Sequence, residues 1–446
     1  MNHIRLQRNA SVSTTITAII VVIVIIVAAA GVYTLTLSKS TSTSTSSTSS
    51  TSSSTTASTT SSSRTSSTTS SSSQPPIVIG MVTHQSGSLA PVGVSQINGA
   101  QLAVNQINAN GGVLGRQLQL VVKDEGASSS DALTSVQTLI NVNHANLMIC
   151  CALSGDAAAA VPTLIQNNIV SVCALCSLNA LFVAPTNQLL FGNSLPDSGY
   201  ASAALAWLQL VGAKNYVFIG EYYSFISETA NFVGNASLAA GIKIAASPSY
   251  FPPSTTDFTS LINNIAAIHP SAVIDFTVGG EVVSLQQQYA GNPAVSSIPI
   301  LHMDTLLSIS SFANQVQKAV PNGMNNVFIM GPNTFTNTTA SYVKSYSSQF
   351  NITSSYIDQD TYSAIIILSQ AVQRAGTLNT TAIVNALLQT NYVGPDGHVV
   401  MQSNHAPQVG TNYLSGTLYQ WQLTGGSLHY DVIWPPVYAN TTAIIP

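Results

Sequence analysis

The segment Ile77–Gly126 reads IVIGMVTHQSGSLAPVGVSQINGAQLAVNQINANGGVLGRQLQLVVKDEG, and its hydrophobic pattern changes twice along its length. The run from Ile77 to Val82 is almost continuously apolar, which is typical of a parallel strand covered on both faces. Apolar residues then recur at helical spacing from Ile97 to Ile107, and a glycine pair follows Asn110, as at the end of a helix. From Leu118 to Asp124 apolar residues alternate, which predicts a second strand that ends on a carboxylate. The segment therefore predicts a βαβ unit.

Strand and helix patterns continue to alternate beyond this unit. Apolar runs that predict strands occur at Leu147–Ala152, Ile169–Cys173, Tyr216–Ile219, Ala272–Phe276, Ile298–His302 and Val327–Met330. Amphipathic stretches that predict helices lie between several of them, for example at Ser227–Ala240. This alternation indicates an α/β fold with doubly wound parallel sheets. Near the carboxyl end, Gly416–Leu423 and Leu428–Ile433 flank a glycine pair and predict a β-hairpin.

The opening segment carries a series of motifs in the order IVIG, SG, NGAQLAVNQIN, GGVLGRQL and KDE. In order and spacing they resemble the leucine/isoleucine/valine class of type I periplasmic binding proteins. A further stretch, FPPSTTDF at Phe251, resembles that family's YPPGTTDF helix start, so the resemblance covers almost the whole folded region. It implies two doubly wound Rossmann-like lobes joined by a three-strand hinge. Lobe 1 would comprise residues 77–195 and 329–400, and lobe 2 residues 196–328 and 401–446.

The resemblance also implies a function. Proteins of this class bind a small solute between two closing lobes and present it to an ABC importer, and no bond is made or broken. For this chain it implies an extracellular solute-binding protein that takes an aliphatic, branched-chain amino acid, needs no cofactor and works with an ABC transporter permease. Two alternatives stay open: a binder of amides, urea or another small polar solute, and the ligand-binding ectodomain of a receptor or sensor.

Candidate ligand contacts follow the predicted strands. Ligands of open α/β sheets bind beyond the carboxyl ends of the strands, where helix amino termini present free N–H groups. The resemblance implies that Ser154 and Ser177 hold the ligand's carboxylate through their hydroxyls, with Leu175 supplying backbone. It also implies that Asp304 receives the ligand's ammonium group. The alternative for the two serines is helix capping, and for Asp304 a solvated loop or a cap.

Apolar and aromatic walls are implied for the same pocket. Phe225 aligns with a tyrosine of the family, and Tyr223 is a candidate to replace that tyrosine. At other side-chain contacts of the family this chain has Val92, Val278 and Ile357. We therefore expect an apolar pocket with less aromatic caging than in the relatives.

The cysteines lie on two segments that are expected to be neighbouring strands: Cys150, Cys151, Cys173 and Cys176. Outside the cell such proximity allows a disulfide, for example between Cys151 and Cys173, and buried free thiols are the alternative. A metal site is not expected, because adjacent cysteines of a strand point to opposite faces. The lone His302 at a strand end predicts a satisfied polar residue rather than a metal ligand.

The sequence lacks the motifs of common enzyme classes. It contains no GxSxG elbow, HExxH helix, GxxxxGK[ST] loop or GxGxxG after a strand. Ser154 and Asp156 have no histidine partner that the sequence identifies. Enzymatic activity is therefore not expected. The formal net charge of −4 and the missing basic patches also argue against nucleic-acid binding.

The amino terminus predicts a membrane anchor. Arg5 and Arg8 precede an apolar run over residues 16–37, which is long enough to cross a hydrocarbon layer of about 30 Å. We expect residues 1–37 to form a cytoplasmic stub and an uncleaved helix, with a cleaved signal as the alternative. Residues 38–76 are mostly Ser and Thr and predict a flexible stalk that carries the rest to the extracellular face of the membrane. A glycosylated surface fits the sequons at Asn235, Asn337, Asn351, Asn379 and Asn440.

The chain is unusually poor in charge. Only 6% of its residues are charged, against about 25% in ordinary globular proteins. In acid, carboxylates that are paired in the fold must be protonated, and each lost pairing lowers stability. Because a chain with few carboxylates has little to lose, we hypothesise that this protein works in an acidic habitat.

Overall fold

The computed structural model describes residues 74–332, 335–410 and 412–445. The predicted anchor at residues 1–37 lies outside this part, and so does the predicted stalk up to residue 73. None of the described helices is both long and apolar enough to cross a bilayer.

The first sheet consists of parallel strands that alternate with helices. Its strands are β1 (Ile77–Thr83), β2 (Leu118–Asp124), β3 (Leu147–Ile149), β4 (Ser171–Cys173) and β5 (Leu190–Gly192), in the order β2-β1-β3-β4-β5. The helices between them are α1 (Ala90–Ala109), α2 (Ser129–Asn141) and α3 (Ser154–Gln166). Ile77, Ile79 and Met81 of β1 are fully buried, as the apolar run predicts for a central parallel strand. We call this sheet with its helices the first lobe.

The second sheet begins after β5. Its parallel strands are β6 (Asn215–Glu221), β7 (Lys243–Ile244), β8 (Ser249–Phe251), β9 (Val273–Phe276), β10 (Ile300–Met303) and β11 (Phe328–Pro332). The helices of this part are α4 (Asp197–Leu210), α5 (Ser224–Ala239), α6 (Thr259–Ile268), α7 (Glu281–Ala290) and α8 (Ser310–Ala319). We call this sheet with its helices the second lobe. Alternation of strand and helix again gives the doubly wound arrangement.

The carboxyl-terminal part of the chain contributes to both lobes. It contains α9 (Thr339–Phe350), α10 (Tyr356–Ala375), α11 (Thr380–Leu387) and a ribbon of β12 (Asn391–Gly394) with β13 (Gly397–Val400). The predicted hairpin follows as β14 (Gly416–Thr424) and β15 (Ser427–Trp434), and β14 pairs antiparallel with β11. The second sheet therefore has the order β15-β14-β11-β10-β9-β6-β7, with β8 also paired to β6.

The chain passes between the lobes after β5, after β11 and after β13. Helix α10 returns to the first lobe and packs against α1. This contact needs a residue without a side chain on α1, because a Cβ added to Gly99 would collide with the carbonyl oxygen of Asp358. The predicted lobe boundary at residue 329 falls inside β11, which pairs with β10 in the second sheet. The architecture confirms the predicted α/β class with two doubly wound lobes.

The main apolar core runs through both lobes. It contains buried side chains of the first sheet, such as Ile79 and Val172, together with Phe218 and Phe276 of the second. Trp207 of α4 is fully buried in the same cluster. Because the core is continuous, the strands of both lobes are held with their carboxyl ends near a common space.

Candidate functional site

A cleft of about 440 Å³ lies where the carboxyl ends of strands from both lobes meet. It is lined by residues of the loops that follow β1, β2 and β3 in the first lobe and β6 and β8 in the second. The lining residues are His84, Ser86, Gly87, Ser88, Leu89, Gly126, Ala127, Ser128, Ser129, Leu153, Gly155, Asp156, Tyr222, Tyr223, Ser224, Phe225, Pro253 and Ser254. A volume of this size suits a small organic ligand.

Helix amino termini from both lobes reach the cleft. Helix α2 begins at Ser129, α3 at Ser154 and α5 at Ser224, and residues of each first turn line the cleft. The first N–H groups of a helix have no partner within the helix, and its dipole is positive at this end. The cleft therefore offers places for the negative group of a ligand without using a cationic side chain. Of the described residues that line it, none is Lys or Arg.

The first-lobe wall of the cleft contains a buried acidic pair beside a histidine. Both carboxylate oxygens of Glu125 accept backbone N–H groups, from Ala152 at 2.8 Å and from Leu153 at 3.0 Å. Burial raises the pKa of Glu125 well above its usual value, and the neighbouring Asp156 raises it further. His84 Nε2 lies 4.0 Å from Glu125 Oε2. Burial lowers the pKa of His84, although the charge of Asp156 raises it in part.

The second lobe has its own acidic pair, Glu221 at the end of β6 and Glu281 at the start of α7, and neither residue is among those that line the cleft. Glu221 accepts the Val278 N–H at 2.9 Å, and Glu281 accepts the Ser254 N–H at 2.5 Å. The other oxygen of each carboxylate, Glu221 Oε1 and Glu281 Oε2, is buried without a hydrogen-bond partner. Burial, followed by the charge of Glu281, raises the pKa of Glu221 to about 8. This pair is therefore the more exceptional of the two, since buried carboxylate oxygens are normally satisfied.

Tyr223 lies between the two acidic pairs. Burial raises the pKa of its hydroxyl, and the charges of Glu221, Glu281, Asp156 and Glu125 raise it further. Its ring stacks on Phe225 with centroids 5.6 Å apart, and both residues line the cleft. The cleft thus has an aromatic face with acidic groups on either side of it.

The sequence matches the periplasmic binding protein family over residues 76–424. The chain belongs to this family. Comparison with curated protein sequences finds no match.

Solved structures of periplasmic binding proteins share the fold. The branched-chain amino acid transporter substrate-binding protein LivJ from Streptococcus pneumoniae, in complex with isoleucine, has a TM-score of 0.67 and 21% identity, over 81% of this chain and 100% of that one. An ABC transporter substrate-binding protein from Sphaerobacter thermophilus has a TM-score of 0.71 and 21% identity, over 83% and 100% of the two chains. A solute-binding protein of an ABC transporter from R. palustris, in complex with benzoate, has a TM-score of 0.69 and 19% identity, over 83% and 99%. At these identities the comparisons establish the fold of this binding protein.

Ser154 and Ser177, the predicted carboxylate ligands, tie two loops of the binding protein together. The Ser154 hydroxyl accepts the N–H groups of Ser177 at 3.2 Å and Leu178 at 3.3 Å. The Ser177 carbonyl accepts the Asp197 N–H at 2.7 Å, and a hydrogen bond from its hydroxyl lowers the pKa of Asp197, which burial raises. Both serines are buried, and neither is among the residues that line the cleft. Their contact with a ligand stays a prediction.

Asp304, the predicted ammonium partner, is not among the residues that line the cleft. Its N–H donates to the Met330 carbonyl at 2.7 Å, and its backbone is left-handed with φ of 48°. Its carboxylate is buried and accepts a hydrogen bond from the Tyr200 hydroxyl at 3.0 Å. Burial raises its pKa to about 6, although hydrogen bonds from Tyr356 and Tyr200 lower it. The side chain is thus held between α4 and α10, and its contact with a ligand stays a prediction.

The residues predicted to form the apolar wall of the pocket lie together in the structure. One apolar cluster contains Val92, Leu175, Tyr223, Val278 and Ile357. Val92 belongs to the first lobe and Val278 to the second, so the cluster joins the two sides. It forms an apolar surface next to the cleft, while Phe225 and Tyr223 reach the cleft itself.

The sequence analysis assigned no role to His84 and Glu125. Their positions in the sequence could have indicated a place in the site, because both residues directly follow neighbouring strands, β1 and β2. The sequence identified no histidine partner for Asp156, and the structure places His84 beside it on the same wall. The histidine was missed because it lies far from Asp156 in sequence and is brought to it only by the pairing of β3 with β1.

The suggested Cys151–Cys173 pairing and the alternative of free thiols were both wrong. The structure pairs Cys150 with Cys151 and Cys173 with Cys176, and no cysteine in the described part is a free thiol. The suggested Cys151–Cys173 bond is not formed, because each cysteine bonds within its own segment. The expectation for His302 was confirmed, since Asp275 lies 2.7 Å from its Nδ1 and Gln286 lies 2.9 Å from its Nε2.

Proposed function

We propose that this protein is an extracellular solute-binding protein of an ABC importer, which traps a small ligand between its two lobes. The observation that supports this most directly is the cleft of about 440 Å³ lined by loops of both lobes. A ligand that contacts both sides is bound more tightly when the lobes approach, so it shifts the protein toward the closed form. The passages of the chain between the lobes would act as the hinge.

For the ligand we propose an aliphatic amino acid, with a branched-chain amino acid as the first candidate. Its carboxylate would lie at the amino termini of α2 and α3 on the first-lobe wall, where N–H groups and helix dipoles favour negative charge. Its ammonium group would lie at Glu221 and Glu281, whose free oxygens lack partners. Its side chain would pack on Tyr223 and Phe225.

This proposal changes the acidic residue that was predicted from sequence. Asp304 is not used in it, because its carboxylate already accepts a hydrogen bond from Tyr200, and its contact with a ligand stays a prediction. Glu281 instead lies close to Tyr223, which does line the cleft. The zwitterion would still be held by opposite walls, with its negative end on the first lobe and its positive end on the second.

An amide or another small polar solute is the second candidate. It is favoured by the raised pKa of Glu221, about 8, because a protonated carboxyl both donates and accepts hydrogen bonds. An aromatic acid such as the benzoate of the R. palustris protein is less well served. It has no ammonium group to pair with Glu221 and Glu281, whose free oxygens would stay without partners.

For its location we propose the extracellular face of the cell membrane, with residues 1–37 as the anchor and an ABC transporter permease as the partner. Support comes from the apolar run in that segment and from the family of the remainder. Extraction of washed membranes distinguishes an anchored protein from one that is not anchored. An anchored chain is released by detergent but not by salt, whereas a chain found in the soluble fraction would refute the anchor.

The ligand is tested by titration calorimetry of the full-length protein with a panel of amino acids, amides and benzoates. We expect saturable one-to-one binding of aliphatic amino acids, with a dissociation constant in the micromolar range or below. Binding of amides alone would favour the second candidate. If no member of the panel produces heat or a thermal shift, the proposed ligand class is wrong.

A further inference from the structure

Three side chains on the first-lobe wall, His84, Glu125 and Asp156, are arranged as ligands of one metal ion. Each offers one ligand atom, and these atoms all lie within 4.8 Å of one another. All three side chains are buried, and two of them line the cleft. An imidazole nitrogen with two carboxylate oxygens is a donor set that Zn²⁺ uses. From this geometry we propose a divalent transition-metal site of the Zn²⁺ type on this wall.

The surroundings of His84 suit a metal ligand. His84 is only 5% exposed, and its Nε2 is buried without a hydrogen-bond partner. Its ring hydrogen-bonds the backbone of Gly126, and a hydrogen bond from one ring nitrogen to a carbonyl leaves the lone pair on the other. That free nitrogen faces Glu125 Oε2 at 4.0 Å, too far for a hydrogen bond. A cation between these two acceptors satisfies both of them.

The separation suits a metal after a small adjustment. Zn²⁺ bonds of about 2.0–2.2 Å place two tetrahedral ligand atoms roughly 3.4 Å apart. The nitrogen and the Glu125 oxygen therefore need to approach each other by only about half an ångström. The ligand atom of Asp156 lies within 4.8 Å of both, so it has to move closer by at most about 1.4 Å.

Both carboxylates are held by partners outside the site. The oxygens of Glu125 accept the N–H groups of Ala152 and Leu153, and the Ser129 hydroxyl donates to Asp156 Oδ1 at 2.5 Å. Such outer hydrogen bonds orient the ligands of a metal and are a regular part of metal sites. The three proposed ligands thus each have an outer partner: Gly126 for the histidine, two N–H groups for Glu125 and a hydroxyl for Asp156.

The fourth coordination position would face the cleft. His84 and Asp156 line the cleft, whereas Glu125 lies behind them and is fully buried. Three protein ligands with one open position is the arrangement of zinc sites that bind a further molecule. Water, or an oxygen of a bound solute, would occupy that position. The ion would also neutralise two buried carboxylates that repel each other when both are charged.

A proton shared by Glu125 and Asp156 is the rival explanation, since it also removes the repulsion between them. It leaves His84 Nε2 without a partner, whereas the metal explains all three side chains together. The metal proposal does not depend on the identity of the solute, because all its ligands belong to the first lobe. It can therefore fail while the proposed function stands, and the reverse also holds.

The test is a titration of the full-length protein, stripped of metal with a chelator, with ZnCl₂ in the absence of any solute. We expect one equivalent of Zn²⁺ to bind and to raise the unfolding temperature. Binding should be lost in His84→Ala and retained in His429→Ala, which removes an exposed histidine of β15. Ser129→Ala, which removes only an outer hydrogen bond, should weaken binding about tenfold. Co²⁺ in place of Zn²⁺ should give visible absorption bands that are absent in His84→Ala.

Circular dichroism and an unfolding curve without metal show whether His84→Ala is folded. The proposal is overturned if the wild type binds no Zn²⁺ at one equivalent. It is equally overturned if a folded His84→Ala variant binds Zn²⁺ as tightly as the wild type, or if Asp156→Asn leaves the affinity unchanged. If the wild type binds no Zn²⁺, a proton shared by Glu125 and Asp156 is the remaining explanation of the acidic pair.

Discussion

Individual carboxylates of the cleft differ in how far the fold satisfies them. Glu125 accepts a backbone N–H group at each oxygen and so holds the loop after β3. Glu221 and Glu281 each satisfy one oxygen and leave the other buried and unpaired. An unsatisfied buried oxygen costs about 1–3 kcal/mol, or more if it is charged. The second-lobe pair is therefore the place where a ligand's donor group gains most.

Replacing Glu281 by Gln should weaken amino acid binding. The amide keeps the size of the side chain but loses the charge that attracts an ammonium group, so we expect a loss of affinity of about ten- to a hundredfold. The unfolding temperature should not fall, because the change removes a buried charge beside Glu221. Calorimetric titration with isoleucine measures the affinity.

Asp431→Asn is the matched control, since this residue lies on the hairpin strand β15 and its carboxylate accepts a hydrogen bond from the Asn440 side chain. It should bind isoleucine as the wild type does. Unchanged affinity in a folded Glu281→Gln variant would remove Glu281 from the site.

For individual residues, the direction in which a side chain points could not be predicted from the sequence. The pattern predicted that an acid follows β10, and Asp304 does so. Its positive φ and its hydrogen bond to Tyr200 hold the carboxylate against α4, and neither is encoded in the local sequence. The proposed pair Glu221 and Glu281 is brought together by β9 lying beside β6, a contact between distant parts of the chain.

At the scale of elements, the strands and helices follow from the hydrophobic pattern. Long, regular segments such as β1 and α1 were predicted because a buried parallel strand and an amphipathic helix each impose a distinct period. The lobe assignment of β11 was harder to predict. A strand with parallel and antiparallel neighbours has the same apolar run whichever lobe it joins, and its partners β10 and β14 are far apart in sequence.

The contact between α1 and α10 gives a prediction about stability. Gly99→Ala should lower the free energy of unfolding by about 1–3 kcal/mol, because its Cβ would meet the Asp358 carbonyl and force the helices apart. Gly234→Ala on α5 is the control, since nothing lies within 4 Å of a Cβ there. That substitution should raise stability by up to about 1 kcal/mol through helix propensity. Urea unfolding of both variants measures the difference, and equal effects would contradict the close packing.

Considered as a whole, the molecule is unusual in its electrostatics. In the part that the structure describes, the two close contacts between a basic and an acidic side chain both involve histidine, and neither involves Lys or Arg. Several carboxyls are instead buried with raised pKa values. Burial raises the pKa of Asp304 and of Asp358 to about 6 and that of Asp396 to about 7, and hydroxyl groups lower each of them in part.

These raised pKa values determine whether the stability of the fold rises or falls with pH. A carboxyl with a higher pKa in the fold binds its proton more tightly when folded, so its contribution to stability is complete below the unfolded value of 3.8 and is lost as pH rises through the folded value. For Asp304, which faces Tyr200, Tyr356 and the further buried acid Asp360, the loss is on the order of 3 kcal/mol. The protein should therefore become more stable on acidification.

Thermal unfolding of the full-length protein between neutral pH and about pH 4 checks this expectation. We expect the unfolding temperature to rise steadily as the pH falls, in agreement with the acidic habitat hypothesised from the low charge content. Asp304→Asn should flatten the rise, because the amide does not titrate. A maximum near neutral pH, with unfolding by about pH 4, would contradict both the sign and the habitat.

The central claim for the whole molecule is that the closing lobes hold a zwitterion by its two ends. The most direct measurement compares the affinity of the full-length protein for isoleucine and for 3-methylpentanoate, which has the same carbon skeleton and carboxylate but no ammonium group. We predict saturable binding of isoleucine and an affinity for the deaminated acid lower by about a hundredfold, because Glu221 and Glu281 would then lack their partner. Equal affinities, or tighter binding of 3-methylpentanoate, would contradict the account.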